Sequence, residues 1–266
     1  MKLTLPDKSI RDLKNGSTGF DLANDIGPGL AKAAVAVSVD GVQKDLHDPI
    51  MHDANISIIT IDSEEGLEIM RHTLAAQVLA RAVKNLYPKS KLAIGPTIKD
   101  GFYYDVECKE TISIDDLEKI EKEMDKIVKT KSSITKKLLS KKDALKVFKD
   151  KDESYKEEII NDSDQEDEFQ LYYQDDEDFV DLCKGPHLPN LNFIGAYKLT
   201  TISGAYWKGD SSNTMLTRIY GTAWSNEKDL NDHLNNIEEA QKRDHRKLGK
   251  EMDLFHFQDE APGMVF

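Results

Sequence analysis

AVAVSVDG at residues 34–41 decides the fold of the first part of the chain. This apolar run predicts a buried strand, and Asp40-Gly41 is a dipeptide typical of hairpin turns. A second apolar run, ISIITI at residues 56–61, predicts another strand of the same sheet. Residues 1–62 are therefore predicted to form a small β-rich unit in which one helix crosses a mixed sheet.

The remaining sequence alternates irregularly between helical and strand-like segments. Ser63 is a favourable N-cap, and the two glutamates behind it suit the first turn of a helix. Apolar residues at helical spacing from 67 to 83 extend that helix. Further strands are predicted at residues 2–5, 92–96, 101–106, 171–173, 179–182, 197–200 and 215–220, and further helices at residues 20–26, 114–128, 142–148 and from 225 onward. This order predicts an α+β fold rather than a doubly wound sheet.

Composition and charge restrict the class of protein. The chain has 266 residues, and its formal net charge is 36 − 49 = −13. An acidic chain does not attract nucleic acid as a whole, so contact with RNA would need local basic patches. One candidate, Lys136-Lys137, is interpreted as a solvated helix face or turn. The apolar runs are too short to span a membrane, the first residues lack a signal-peptide pattern, and the two cysteines lie far apart. We expect a cytoplasmic protein without disulfide bonds.

The segment DLCKGPH at residues 181–187 carries most of the chemical information. It places a thiol, Cys183, and an imidazole, His187, four positions apart. Gly185 and Pro186 stand between them and disfavour a helix. We therefore predict a tight loop that presents both side chains to one pocket, with Asp181 close behind. Such a loop can bind a metal, activate a nucleophile or hold a water against a scissile bond.

Many ordered segments make the chain resemble the N-terminal part of bacterial-type threonyl-tRNA synthetases. The matching segments are residues 25–32, 65–72, 93–96, 101–105, 153–156, 181–187, 203–210, 218–224, 242–250 and 260–266. The resemblance implies three parts. Residues 1–62 would be a ubiquitin-like β-grasp (TGS) domain, and residues 63–224 a larger α+β editing domain. Residues 225–266 would be a linker helix and the truncated start of the class II catalytic core.

The same resemblance implies an activity and a partner. The editing domain of the family hydrolyses mischarged Ser-tRNA(Thr) at the 3′-terminal adenosine, so the expected partner is the tRNA acceptor end. Aminoacylation, with its ATP, magnesium and zinc, would belong to the missing core and is not expected from these residues. The parent enzyme would be a homodimer through that core, and the fragment a monomer.

The resemblance also implies the site residues. His187, His72, Lys156 and Cys183 match catalytic positions of the family's editing pocket. Tyr104 and Asp181 match supporting, substrate-binding positions. No metal ligand and no cofactor are expected for editing, although His72, Cys183 and His187 could supply three zinc ligands of the kind that related alanyl-type editing domains suggest.

The family's first histidine pair, His-x-x-x-His, is incomplete in this sequence. The residue four positions after His72 is Ala76, because the sequence contains one residue more than the family pattern. When the segment is aligned from its downstream side, Gln77 takes the place of the second histidine and Thr73 that of the first. Residues five apart on an α-helix are rotated by roughly 140°. A π-bulge can absorb one inserted residue; without one, the insertion removes the first pair from the pocket.

The simplest mechanism from these residues is a positioned water. His187 is the first choice to orient or deprotonate it, and His72 the second. Lys156 would assist the terminal ribose or the leaving oxygen, while Cys183 is ranked as a positioning group rather than a nucleophile. Two alternatives stay open. The chain could be a tRNA-binding appendage whose editing site has decayed, or a regulatory ligand-binding module, which the editing segments disfavour.

Overall fold

The computed structural model of the protein describes residues 1–175, 179–243, 248–249 and 251–252. The chain divides into two compact units, residues 1–225 and residues 226–266. All the residues that the sequence analysis assigns to the candidate site lie in the first unit.

The first sixty residues form a five-stranded mixed sheet with two helices. Its elements are β1 (Lys2–Thr4), β2 (Ile10–Asp12), α1 (Gly19–Ile26), α2 (Pro28–Ala33), β3 (Ala34–Val39), β4 (Val42–Asp45) and β5 (Ala54–Thr60). The strand order is β2-β1-β5-β3-β4, with β1 parallel to β5 and the other neighbours antiparallel. Asp40 and Gly41 both have positive φ angles between β3 and β4, which confirms the predicted hairpin. The expected β-grasp arrangement is therefore present.

The Gly-Pro-Gly segment at residues 27–29 separates two helices. α1 begins with a capping box between Thr18 and Asp21, and Pro28 is the first residue of α2. Proline suits that position because the first N–H of a helix has no partner inside the helix and the proline φ angle is already helical. The prediction of a single helix in this unit was therefore wrong, and the short edge strand β2 was not predicted.

Residues 64 to 224 form the larger α+β part of the same unit. Its elements are α3 (Glu64–Thr73), a π-helical segment (Leu74–Leu79), α4 (Ala80–Leu86), β6 (Lys91–Leu92), β7 (Thr97–Ile98), β8 (Gly101–Glu107), α5 (Leu117–Lys129), β9 (Ile134–Leu139), α6 (Lys141–Asp150), α7 (Ser154–Asp162), β10 (Phe169–Gln174), β11 (Val180–Leu182), β12 (Ala196–Tyr206) and β13 (Met215–Trp224). One antiparallel sheet has the order β12-β13-β8-β6, with β7 also paired to β8, and a second has the order β11-β10-β9. The α+β prediction is confirmed.

A single hydrophobic cluster connects the two parts of this unit. Leu74 of the π-helical segment, Met124 of α5 and Phe102 of β8 are fully buried in it. Val35 and Ile59 of the first sheet belong to the same cluster. The first sheet and the larger part thus share a core, and their relative position is fixed by apolar packing.

Lys136 lies in a strand and not on a solvated helix face or turn, so that prediction was wrong. It is part of β9, which pairs with β10. Its ammonium group lies 2.8 Å from Asp45 Oδ2 and 2.6 Å from Asp48 Oδ2, both in the first sheet's part of the chain. A local charge pattern gives no sign of partners that lie this far away in sequence.

The second unit contains α8 (Glu227–Lys242) among its described residues. The Asn226 side chain accepts a hydrogen bond from the backbone N–H of Asp229 and caps this helix, which confirms the predicted helix. Residues 253–266, predicted to enter the class II core, lie outside the described residues, as does most of the basic run at 242–247. Within the described ranges, no helix is both long enough and apolar enough to cross a membrane.

Gly66→Ala should destabilise the protein, because α3 begins in close contact with the end of β5. A Cβ atom at Gly66 would overlap the backbone carbonyl of Thr60, which cannot rotate away. We expect the free energy of unfolding to fall by about 1–3 kcal/mol in urea denaturation. Gly29→Ala in α2 is the matched control, since a Cβ there meets no atom within 4 Å. That change should be neutral or stabilising by up to about 1 kcal/mol, and equal losses in both variants would contradict the close approach.

Candidate active site

The π-helical segment carries the extra residue of the first long helix. α3, this segment and α4 are continuous from Glu64 to Leu86. Hydrogen bonds between residues five apart widen one turn, so the turn accommodates an additional residue. His72 and Ala76, which are four residues apart, line the same cavity, although Ala76 has no polar group to offer. Of the two outcomes that the sequence left open, the structure has the π-bulge, and His72 keeps its place at the site.

The loop after β11 presents Cys183 as the sequence predicts. Gly185 has a φ angle of +63°, and its N–H donates a hydrogen bond of 3.3 Å to Cys183 Sγ. A Cβ atom at Gly185 would also overlap the hydroxyl group of Tyr172. Glycine is therefore needed twice, for the left-handed backbone and for the close approach of the tyrosine.

Three side chains converge from this loop and the first helix. His72 Nε2 lies 2.7 Å from Cys183 Sγ. The rings of His72 and His187 stack with centroids 4.6 Å apart and planes inclined by 8°. One donor atom from each of the three residues lies within 4.8 Å of the others. The structure thus joins the thiol, the loop imidazole and the helix imidazole in one cluster.

The hydrogen bonds of Thr73 determine the protonation of His187. The Thr73 hydroxyl donates to the carbonyl of Ile69 over 2.8 Å and accepts from the N–H of Leu188 over 3.0 Å. Its remaining lone pair faces His187 Nδ1 at 3.2 Å, so Nδ1 must carry the hydrogen. Nε2 of His187 then carries a lone pair, and this buried atom has no hydrogen-bond partner among the described residues.

Burial sets the charge state of the cluster. It lowers the pKa of His72 below its ordinary value, against the opposing effect of Asp181, and it lowers that of His187 further, with His72 adding to the effect. Burial also raises the pKa of the Cys183 thiol to about 12. Both imidazoles are therefore neutral near pH 7, and Cys183 is a thiol within hydrogen-bond distance of His72 Nε2.

A buried ion pair stands beside the cluster. Lys156 Nζ lies 2.5 Å from Asp181 Oδ1 and donates to the hydroxyl of Tyr104 over 3.1 Å. Tyr104 in turn donates to Asp181 Oδ2 over 3.0 Å. All three side chains are almost completely buried. Asp181 and Tyr104 thus fix the ammonium group of Lys156 through two of its three N–H donors.

These groups meet a cavity of about 500 Å³. Of the residues predicted for the site, His72, Lys156, Asp181 and Cys183 line it. The other lining residues come from the π-helical segment, the turn before β7, α7, the segment before β10, β10, β11 and the Cys183 loop; they are Ala76, Ile94, Gly95, Pro96, Ile159, Ser163, Gln165, Glu168, Phe169, Gln170, Leu182, Lys184 and Gly185. The cavity is thus mostly apolar, with an imidazole, a thiol and an ion pair on its wall.

Four predicted residues lie behind this wall. His187 packs beneath His72, and Thr73 holds His187 from below. Tyr104 lies behind Lys156. Gln77 is fully buried, and its backbone carbonyl accepts a hydrogen bond of 2.6 Å from the side chain of Gln174. These residues are placed to support the wall rather than to touch a ligand in the cavity.

Among the residues that hold the predicted side chains in place, the sequence analysis missed Gly95 and Asp45. Gly95 contacts His72 through its backbone, and a Cβ atom there would overlap the ring of Tyr104. The Gly-Pro pair at 95–96 was the available signal for such a close approach. Asp45, at the end of β4, accepts a hydrogen bond of 2.9 Å from the backbone N–H of His187. No local pattern around Asp45 indicates this contact.

The histidine–cysteine cluster has the donor set of a zinc site but not its spacing. Zinc bound by one nitrogen and one sulfur at about 2.0–2.3 Å would hold the two atoms about 3.5 Å apart in a tetrahedron. His72 Nε2 and Cys183 Sγ are 2.7 Å apart, which is the distance of a direct hydrogen bond. His187 Nδ1 is engaged by Thr73, which leaves the unpartnered Nε2 as the atom that could bind a metal. His72 and Cys183 would have to separate to hold a metal.

Comparison with known proteins adds independent information. Residues 1–60 match the family described as TGS domain, and residues 170–220 match the family described as threonyl and alanyl tRNA synthetase second additional domain. The chain is 49% identical to the threonine–tRNA ligase of Prochlorococcus marinus and 50% identical to that of Hahella chejuensis, each over 264 residues. Each match covers 99% of this chain but 41% of the relative.

Both parts of the first unit are thus matched, and the chain spans about two fifths of the length of these relatives. The chain therefore matches the part of threonine–tRNA ligases that carries the TGS domain and the second additional domain.

Proposed function

We propose that this chain hydrolyses the ester bond between serine and the 3′-terminal adenosine of a tRNA specific for threonine. The supporting observation is that a neutral imidazole, His72, and a buried ammonium group, Lys156, share the wall of one mostly apolar cavity. An imidazole that can accept a proton and a cation that can stabilise an oxyanion are the two groups that ester hydrolysis needs.

The energetics of amino-acid selection give a reason for the reaction. Serine lacks one methyl group of threonine, and a missing methyl group costs a binding site only about 1–3 kcal/mol, or roughly 10–200-fold in discrimination. A hydrolytic site that accepts serine and excludes the additional methyl group removes the errors that remain. Ile94, Pro96 and Ile159 form part of the cavity wall, and such apolar side chains are suited to exclude the additional methyl group by shape.

The reaction uses water as the nucleophile. The Cys183 S–H turns away from His72 Nε2, which then takes a proton from the water as its oxygen attacks the ester carbonyl carbon. The tetrahedral intermediate breaks its C–O bond to the ribose. The imidazolium of His72 returns the proton to the leaving ribose oxygen. The products are serine and a tRNA with a free terminal hydroxyl group.

Lys156 supports this sequence through its third N–H donor. Asp181 and Tyr104 hold the other two, so the side chain has no freedom to search for a partner. A cation fixed in advance stabilises the negative charge of the intermediate without reorganisation.

His187 acts behind His72 in this mechanism. Sequence alone favoured His187 at the water, but His72 lines the cavity and His187 lies beneath it. The stacked ring of His187 and the backbone of Gly95 hold the plane of His72. Cys183 is a poor nucleophile here because its raised pKa keeps it a thiol.

The activity of the whole protein is a further part of the proposal. We infer that the longer protein attaches threonine to tRNA with ATP and magnesium, that this chemistry and any structural zinc belong to regions outside this chain, and that a homodimer forms there. Because the proposed reaction belongs to protein biosynthesis, we expect it to take place in the cytoplasm. Editing by this chain needs no cofactor, and its partner is the acceptor end of the tRNA.

The alternative is a tRNA-binding part without hydrolysis. Ala76 favours it, because the position four after His72 lines the cavity without an imidazole. The two functions differ in one assay, since binding without hydrolysis would leave Ser-tRNA(Thr) intact.

His72→Ala should slow the deacylation of Ser-tRNA(Thr) by roughly 10²–10⁴-fold, the usual contribution of a general base. His187→Ala should have a smaller effect, because a base in contact with the water would remain. Hydrolysis rates with labelled serine, together with tRNA affinities, measure both. Unchanged tRNA binding in His72→Ala is expected. A wild-type rate equal to that in buffer would reject hydrolysis by this chain. A larger loss of rate in His187→Ala than in His72→Ala would indicate that His187, and not His72, is the general base.

The rate of hydrolysis should depend on pH through His72. A general base works when it is neutral, so the rate should rise as pH increases through the pKa of His72 and then stay constant. Burial lowers that pKa, while the charges of Asp181, Glu68 and Asp45 oppose the shift. The midpoint should therefore lie below the ordinary histidine value of about 6.5. A midpoint above that value would contradict the assignment of His72 as the general base. The same pH dependence in His72→Ala would also contradict it.

Metal removal should leave hydrolysis unchanged. Because His72 and Cys183 contact each other directly, we expect substoichiometric zinc in the purified chain and rates that differ little before and after treatment with EDTA. Elemental analysis and the deacylation assay measure the two quantities. One zinc per chain, together with a loss of activity that added zinc restores, would show that the cluster is a metal site.

A further inference from the structure

Asp45 of the TGS domain connects that domain to the hydrolytic loop. Among the described residues, its carboxylate has three polar contacts, and all of them are with the larger part of the unit. Oδ1 accepts from the backbone N–H of His187 over 2.9 Å. Oδ2 accepts from the hydroxyl of Tyr172 over 2.7 Å and lies 2.8 Å from the ammonium group of Lys136. The side chain is only 15% exposed, so water competes weakly for these contacts.

The contacts of Asp45 bear on both the backbone and the ring of His187. The bond from Oδ1 holds the backbone at the end of the Cys183–His187 loop. The Tyr172 ring, whose hydroxyl Asp45 also holds, packs edge-on against the His187 ring with centroids 4.4 Å apart and planes at 75°. His187 in turn stacks on His72. A continuous chain of contacts therefore runs from Asp45 to the imidazole at the cavity wall.

We propose that Asp45 is a positioning residue of the hydrolytic site, so that the TGS domain forms part of that site. This inference rests on the proposed hydrolysis for its effect on rate, but the geometry it describes is independent of activity. Asp45 is not among the residues that line the cavity. It acts by keeping the loop and the two stacked rings in the arrangement that the reaction requires, and small displacements of such groups reduce rates strongly.

A simple docking ion pair between Asp45 and Lys136 is the competing explanation. Lys136 has a second carboxylate partner, Asp48, at 2.6 Å. Asp48 shares the lysine with Asp45, and none of its described contacts is with the loop. Asp45→Ala and Asp48→Ala each remove one carboxylate partner of Lys136. Only Asp45→Ala also removes the hydrogen bond from the backbone N–H of His187. This pair of variants separates positioning from docking.

Asp45→Ala should lower kcat for deacylation by about 10–100-fold, as losses of supporting hydrogen bonds at sites commonly do, with KM for the tRNA changed little. The kcat of Asp48→Ala should stay within about twofold of the wild-type value. This change removes an ion pair with Lys136, which contributes little, and leaves the contacts of the Cys183–His187 loop intact. Asp45→Asn should recover part of the rate, because its amide oxygen can still accept from His187. Equal losses in Asp45→Ala and Asp48→Ala, or no recovery in Asp45→Asn, would overturn the proposal.

A second measurement needs no activity. Amide hydrogen exchange of His187, followed by NMR on the 266-residue chain, should become faster in Asp45→Ala and not in Asp48→Ala, and the ring signals of His187 should shift in the first variant only. Unchanged exchange in Asp45→Ala would overturn the positioning role. A wild-type chain that fails to hydrolyse Ser-tRNA(Thr) but shows this exchange pattern would reject the proposed function and keep the positioning by Asp45. Thermal unfolding of each variant checks that it is folded.

Discussion

The complete burial of the first long helix around residues 73–80 constrains everything near the site. Each of these eight residues is buried, so the helix cannot turn about its axis without exposing apolar side chains to water. An inserted residue must therefore be absorbed locally, and the π-helical segment at Leu74–Leu79 does so. The helix keeps its register on both sides of the segment, and His72 stays against Cys183 as a consequence.

The second determinant of the site is the burial of Lys156 with Asp181. Removing two charges from water is costly, and their attraction compensates only when the remaining donors and acceptors are also satisfied. Tyr104 and the backbone N–H of Leu182 supply those additional bonds to Asp181. The ion pair therefore contributes little to stability, and its main effect is to fix the direction of one ammonium group at the cavity.

The sequence predicted those parts of the structure that are determined by residues close to one another in the chain. The turn at Asp40-Gly41, the amphipathic helix α5 and the loop between Cys183 and His187 follow from residue types and spacing. Comparison with the family's histidine spacing left two outcomes for the helix around His72: a π-bulge, or loss of the first histidine pair from the pocket. Burial of the helix favours the π-bulge. Features that depend on distant partners were not predicted. β9 was missed because its lysines read as solvent-exposed, whereas Lys136 is paired with Asp48, 88 residues away.

The division of the site residues between wall and support was also beyond the sequence. The resemblance to the family implies that Thr73, Gln77 and His187 are neighbours of the pocket, but only the packed structure tells which atoms reach the cavity. For example, no sequence pattern indicates that the Thr73 hydroxyl supports His187. Its role follows from two backbone partners, Ile69 and Leu188, that lie on different elements.

The bond between Asp45 and His187 also bears on how the protein is made. The two residues are 142 positions apart, so a growing chain completes the first sheet well before the loop exists. At the ribosome, that sheet would present a finished carboxylate to which the later loop must dock. Contacts so distant in sequence form slowly. The geometry of the proposed site would then be among the last features to form, and the earlier domain would serve as its template during synthesis.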